Sequence, residues 1–130
     1  AKTPCRLTVI APECGDGMQA LLDQWQERIQ YVKDCYHQGC LMEEDMDVVI
    51  AATDDPAVNE AIYRECRHRE IYVNVATDHK LCSFYFPATV EVPESELLIA
   101  IASGNANAQT HQHVRELREK IEQEFGEKLS

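Results

Sequence analysis

The sequence predicts an α/β domain built on a parallel sheet, followed by a small α+β unit. Three observations carry this. Val48, Val49, Ile50, Ala51 and Ala52 form a continuous apolar run, too short for a typical helix, which suits a strand covered on both faces. A polar turn and a helical pattern follow, and then a second short β-type run over residues 71–75. Near Thr77 the pattern changes to a β-rich stretch, a turn and one long charged helix.

Taken in order, residues 6–11 read as a strand carried by Leu7, Val9 and Ile10. Residues 18–28 read as a helix with Met18, Leu21, Leu22 and Trp25 on its inner face. Residues 29–33 are a short strand, and residues 34–45 a connection with a helical turn near its acidic end. The strand over 48–52 ends in Thr53. Asp54 and Asp55 can cap the next helix, and Pro56 fits its first turn because no N–H is needed there. Ala57, Val58, Ala61, Ile62 and Cys66 recur at helical steps, so one face packs on the sheet. A strand, a helix and another strand predict a right-handed crossover, whose ligands bind beyond the carboxyl ends of the strands. Thr53 and Asp54 lie at one such end and residues 74–78 at another.

Residues 84–92 are β-rich, Pro93, Glu94 and Ser95 make a turn, and residues 97–103 form another strand. The last helix runs over about 107–125, with Val114, Leu117, Ile121 and Phe125 as its stripe, fit to meet a sheet or a second subunit. The composition shift places a domain boundary between residues 1–76 and 77–130.

With 130 residues and 45% hydrophobic content the chain can bury a real core. A formal charge of −11 disfavours nonspecific nucleic-acid binding, which needs a basic surface. No apolar stretch is long enough to cross a bilayer, and no secretory signal is visible. The six cysteines are irregularly spaced, without a Cys-x-x-Cys pair, and read as cytosolic thiols. Cys35, His37 and Cys40 form the only tight cluster of soft ligands; incidental loop thiols are the plainer reading, and no metal site is assigned. Cys66 and Cys82 read as packing residues. Of the five histidines only His79, beside Asp78, is a candidate proton shuttle.

Several stretches resemble one family. Leu-Thr-Val-Ile-Ala-Pro-Glu at 7–13, Ala-Ala-Thr-Asp-Asp-Pro-Ala-Val-Asn at 51–59, Val-Asn-Val at 73–75 and Leu-Cys-x-Phe-x-Phe-Pro at 81–87 stand in the family's order and spacing. So do Ile99 to Gly104 and Val-Arg-Glu at 114–116. Together they resemble the NAD-dependent precorrin-2 dehydrogenase and sirohydrochlorin ferrochelatase family, the first module of siroheme synthases. The resemblance implies a Rossmann-like domain over residues 1–76 and a dimerisation domain over 77–130. It implies NAD at the carboxyl edge of the sheet, held by Pro12, Glu13, Thr53 and Asp54. It places precorrin-2 in a cleft between the two parts, near Asn105 and Asn107, in a cytoplasmic homodimer. Some members also insert ferrous iron.

Three departures accompany the match. The family's Gly-rich phosphate loop lies on a strand before Arg6, so native sequence is expected to precede Ala1. The family's acid/base Asp falls on Thr77, leaving Asp78, one residue on, as the catalytic candidate. The family's Ser-Pro turn reads Asn107-Ala108, where Asn107 can meet a propionate or cap the helix. A second register is also open: Gly15-x-Gly17-x-x-Ala20 fits a dinucleotide pattern with Asp34 as the ribose ligand, or is an ordinary helix-capping turn. Two functions follow. One is an oxidoreductase that converts precorrin-2 to sirohydrochlorin. The other is a noncatalytic tetrapyrrole- or NAD-binding module whose chemistry was lost at Thr77 and Asn107.

Overall fold

A computed structural model of the chain describes residues 5–42, 45–104 and 107–126. The elements run β1 (Leu7–Ala11), α1 (Asp16–Gln24), β2 (Ile29–Lys33), β3 (Val48–Ala51), α2 (Pro56–His68), β4 (Tyr72–Val75), β5 (Ala88–Val92), β6 (Leu97–Ile101) and α3 (Ala108–Gly126). Short 3-10 turns occupy Cys40–Met42 and His79–Leu81.

The parallel sheet comes as two pairs. β1 lies parallel to β2, with Leu7 opposite Ile29 and Ala11 opposite Lys33. β3 lies parallel to β4, with Val48 opposite Tyr72 and Ala51 opposite Val75. Each pair is joined through a helix, as parallel neighbours require: α1 packs on β2, and α2 on β3 and β4. The third sheet is the antiparallel hairpin of β5 and β6, with α3 against β5. The hairpin turns through Glu94 and Glu96, both with positive φ.

The core sits between α2 and the β3–β4 pair. Ala51, Ile62, Cys66, Val73 and Val75 are buried together with Leu41, which the 34–42 connection brings over the sheet. Complete burial of a side chain such as Val73 contributes about 1.5–3 kcal/mol. The Tyr36 hydroxyl fastens that connection to α2 by donating to Glu65 Oε2 at 2.6 Å, and Gly39 N–H donates to the same oxygen at 3.3 Å. The outer edge of β4 is covered by residues 82–84. Ser83 N–H donates to Val73 O at 2.8 Å, Val73 N–H donates to Ser83 Oγ at 2.7 Å, and Asn74 Nδ2 donates to Phe84 O at 3.0 Å. A covered edge cannot recruit a foreign strand.

The structure corrects several expectations. Val48 and Ile50 are 49% and 54% exposed, so β3 is covered on one face rather than two: α2 takes the Val49 and Ala51 side. α1 stops at Gln24 and buries only Leu22; Met18 and Leu21 face outward, and Trp25 closes the helix with the Arg28 guanidinium over its ring. The ladder of the β-rich stretch begins at Ala88, because the residues before it serve the edge of β4 instead. On α3 the half-covered positions are Thr110, Val114, Arg118 and Ile121, while Leu117 and Phe125 of the expected stripe are exposed.

Candidate functional site

The tips of β3 and β4 are joined by one buried side chain. Asn59, 1% exposed, projects from the first turns of α2 beneath both strand ends. Its Oδ1 accepts from Thr53 N–H at 3.1 Å and from the Thr53 hydroxyl at 2.7 Å. Its Nδ2 donates to Thr53 O at 3.0 Å and to Thr77 Oγ1 at 3.1 Å. The amide thus spends two acceptor and two donor positions, its whole capacity. A buried amide is retained only when so satisfied.

Local sequence explains why the chain turns here. Asp55 is the N-cap of α2: its Oδ1 accepts from Ala57 N–H at 2.8 Å, and Pro56 opens the helix without needing a partner. Asp54 stands between the bonded Thr53 and the capping Asp55, exposed at the tip. On β4 the pairing runs one residue further, Ala76 N–H donating to Ala51 O at 2.9 Å, and this sets Thr77 beside α2. Asp78 then caps the 3-10 turn, its Oδ1 accepting from Lys80 N–H at 2.9 Å. The Cys82 thiol lies within that turn, 3.4 Å from both Val75 O and Asp78 O.

Among the sequence-derived candidates, Thr53 and Thr77 are therefore brought together through Asn59, Asp54 lies beside Thr53, and Asp78 follows Thr77 in a capped turn. Pro12 and Glu13 are exposed just past β1, on the other parallel pair, where Tyr31 donates to Ala11 O at 2.9 Å. Asn107 caps α3: its Oδ1 accepts from Thr110 N–H and its own N–H donates to Thr110 Oγ1, each at 2.9 Å. Asn105 lies outside the described residues.

For the second register, Gly15 is the N-cap of α1, and a Cβ built on Gly15 or Gly17 would meet nothing of the chain within 4 Å. Asp34 Oδ1 accepts from Cys35 N–H at 2.8 Å, and its Oδ2 lies 3.6 Å from His37 Nε2. The protein's own packing thus makes no demand for glycine there. Among the described residues no three His, Cys, Asp or Glu side chains gather as metal ligands, Cys35, His37 and Cys40 included. Burial pushes the Cys66 thiol up to about 11, and burial together with the Glu65 hydrogen bond raises the Tyr36 hydroxyl above its ordinary range. Both belong to the core and not to the strand tips. Surface depressions of about 590 and 420 Å³, beside Lys120–Phe125 and Asp23–Arg28, are lined by no strand-tip residue.

Reading the sequence for chemistry missed Asn59. A signal was there: Asn59 shares the spacing of Ile62 and Cys66, so it is a polar residue on the buried stripe of α2. Such a residue must find partners inside, and the nearest unsatisfied groups are the strand ends.

The arrangement defines an open parallel α/β module, a class whose ligands bind at the carboxyl ends of the strands, where the polar groups converge here. A family model described as "Putative NAD(P)-binding" matches residues 1–88, and the chain belongs to that family. It is 38% identical over 120 residues to siroheme synthase of Photorhabdus laumondii, covering 89% of this chain and 23% of the relative. With siroheme synthase of Methylobacillus flagellatus the identity is 36% over 103 residues, 79% of this chain and 21% of the relative. With siroheme synthase 1 of Cronobacter sakazakii it is 47% over 76 residues, 58% and 15% respectively. The chain thus spans about a quarter or less of these curated relatives. The solved structure of SirC, precorrin-2 dehydrogenase, shares the fold with a TM-score of 0.67 at 18% identity, covering 92% of this chain and 54% of that one. No described helix is long and apolar enough to cross a membrane.

Proposed function

We propose that this chain is part of a cytoplasmic siroheme-biosynthesis oxidoreductase that oxidises precorrin-2 to sirohydrochlorin with NAD(P). The observation that carries this reading is the Asn59 junction, which presents Thr53, Asp54, Thr77 and Asp78 along the carboxyl ends of adjacent parallel strands. The polar groups fit the nucleoside parts of a dinucleotide: the Thr77 hydroxyl for an amide or sugar oxygen, and the exposed Asp54 carboxylate for a sugar diol. Thr53 and Asp54, with Pro12 and Glu13 past β1, are the proposed cofactor contacts. Bound NAD(P) supplies the hydride acceptor for the oxidation.

The chain's own residues handle the proton and the geometry. Asp78 is the proposed proton acceptor at Oδ2, its Oδ1 being held by Lys80 N–H. Asn105 and Asn107 are the proposed contacts to substrate carboxylates, with residues 1–76 as the nucleotide part and 77–130 as the dimerisation part. Residues 77–84 are hydrogen-bonded to the nucleotide part, at Asn59 and along β4. Iron insertion into the product is a second activity to assay.

The test is NAD(P) reduction by the complete protein supplied with precorrin-2. Turnover supports the reading, and its absence together with absent NAD(P)H binding overturns it. Thr77 motivates the alternative of a noncatalytic binding module, since a hydroxyl bonded to Asn59 stands where the resemblance calls for an acid. Turnover gained only in Thr77→Asp would favour that alternative.

A further inference from the structure

The direction of every hydrogen bond at Asn59 is fixed by chemistry. Thr53 N–H can only donate, so Oδ1 must face it; Thr53 C=O can only accept, so Nδ2 must face it. The amide therefore cannot be turned over. Its second N–H is aimed at Thr77 Oγ1 at 3.1 Å, and the Thr77 oxygen must accept. The Thr77 side chain is exposed, and its own proton is not used in that bond.

We propose that Asn59 is a positioning residue that fixes the Thr77 hydroxyl as an outward hydrogen-bond donor to an acceptor oxygen of the dinucleotide at the β3 and β4 tips. The inference rests on the NAD(P) reading of this site and deepens it. A free hydroxyl rotates and donates or accepts at will. Here one lone pair is committed inward by an amide that is buried and itself bound to a rigid peptide group. The orienting cost is met on folding, so the donor is ready before the ligand arrives. The partner it selects is an acceptor such as a carbonyl, sugar or phosphate oxygen, and it discriminates against a group that can only donate.

The experiment is NADH and NADPH titration of the complete protein, with thermal stability measured alongside. Thr77→Val, which keeps the shape and removes the hydroxyl, is expected to weaken Kd about tenfold; it also leaves one buried Asn59 N–H unpaired and lowers Tm, so the titration is run well below the variant's Tm. Thr77→Ser restores most of the affinity. Asn59→Asp offers a carboxylate in place of Nδ2, so the Thr77 proton is drawn inward. It is expected to weaken binding in the parent but not when combined with Thr77→Val. Should Asn59→Asp fail to fold, the Val and Ser comparison still decides. Binding by the parent that Thr77→Val leaves within twofold overturns the inference and spares the NAD(P) reading. A parent that binds neither nucleotide overturns both.

Discussion

The Tyr36 hydroxyl and Glu65 Oε2 lie 2.6 Å apart, joining a loop residue to a helix residue across 29 positions of sequence. The Glu65 side chain is only 9% exposed, and among the described residues its Oε1 finds no hydrogen-bond donor, Arg69 Nη1 lying 4.0 Å away. Removing the tyrosine hydroxyl leaves a nearly buried carboxylate that, among the described residues, keeps the Gly39 N–H as its hydrogen-bond donor. Tyr36→Phe is therefore expected to lower unfolding stability by about 1–3 kcal/mol. Urea denaturation followed by circular dichroism measures it; a change within error would show that the loop is held by apolar packing alone.

Asn59→Ala should cost more. It strands the N–H and C=O of the half-buried Thr53 and releases Thr77 in one step. A loss of roughly 2–4 kcal/mol is expected, larger than for either threonine alone, because the bonds share one hub. Comparing Asn59→Ala with Thr53→Val and Thr77→Val by the same denaturation reads the coupling. Three equal, small effects would mean that the junction is not cooperative.

Asp54 and Asp55 are neighbours with separable roles. Asp55 caps α2 through Ala57 N–H, so Asp55→Ala should destabilise by about 1 kcal/mol. Asp54 is exposed and is not the helix cap; Asp54→Ala should leave Tm nearly unchanged and weaken NAD(P)H affinity. Reversal of this pattern, with Asp54→Ala the less stable and affinity unmoved, would remove Asp54 from the proposed cofactor contacts.

The elements of the β3–α2–β4 unit were legible because local signals agree there. A short apolar run, an Asp-Asp-Pro turn and a helical stripe each admit one geometry. The exposure of Val48 and Ile50 was not legible: an apolar run records that both faces tolerate burial, whereas cover depends on which element arrives. Met18 and Leu21 fail for the same reason, since α1 meets β2 over a short arc centred on Leu22. Of the site, Thr53 was placed by its position at a strand end. The role of Asn59 depends on the depth of α2 beneath the tips, a tertiary quantity that spacing hints at without fixing. Asn107 shows the reverse case, because asparagine three residues before Thr110 is a local pattern for a helix start.

The alkaline limb of stability should carry the mark of two core groups. Cys66 ordinarily titrates near 9 and is pushed up to about 11 by burial, and Tyr36 is also raised. Folding therefore favours the protonated forms. Their contribution is complete below the unfolded pKa of each and is lost as pH rises through the folded values. Tm should hold to about pH 9 and fall beyond it, and Cys66→Ala should flatten part of that fall. Thiol labelling at pH 8 gives an independent check, with Cys66 reacting only at the rate of unfolding while exposed Cys5 and Cys35 react at once. Prompt labelling of Cys66 in the folded chain would refute this.

The β5–β6–α3 unit carries the last prediction. Leu97 and Leu98 on β6 are 63% and 61% exposed, and Leu117 and Phe125 of α3 are exposed as well, although α3 already packs on β5. β6 pairs with β5 on one side, and a two-stranded hairpin with one helix is a small shelter for its apolar residues. A second copy of the same unit is the simplest cover, since an isologous contact presents each leucine to its own counterpart face. The complete protein is accordingly expected to sediment as a dimer. Leu98→Asp and Leu117→Asp should each shift it toward the monomer, with helix content preserved in both, because neither residue is buried within the chain. A parent that sediments as a monomer, or variants that remain dimeric, would move the interface elsewhere.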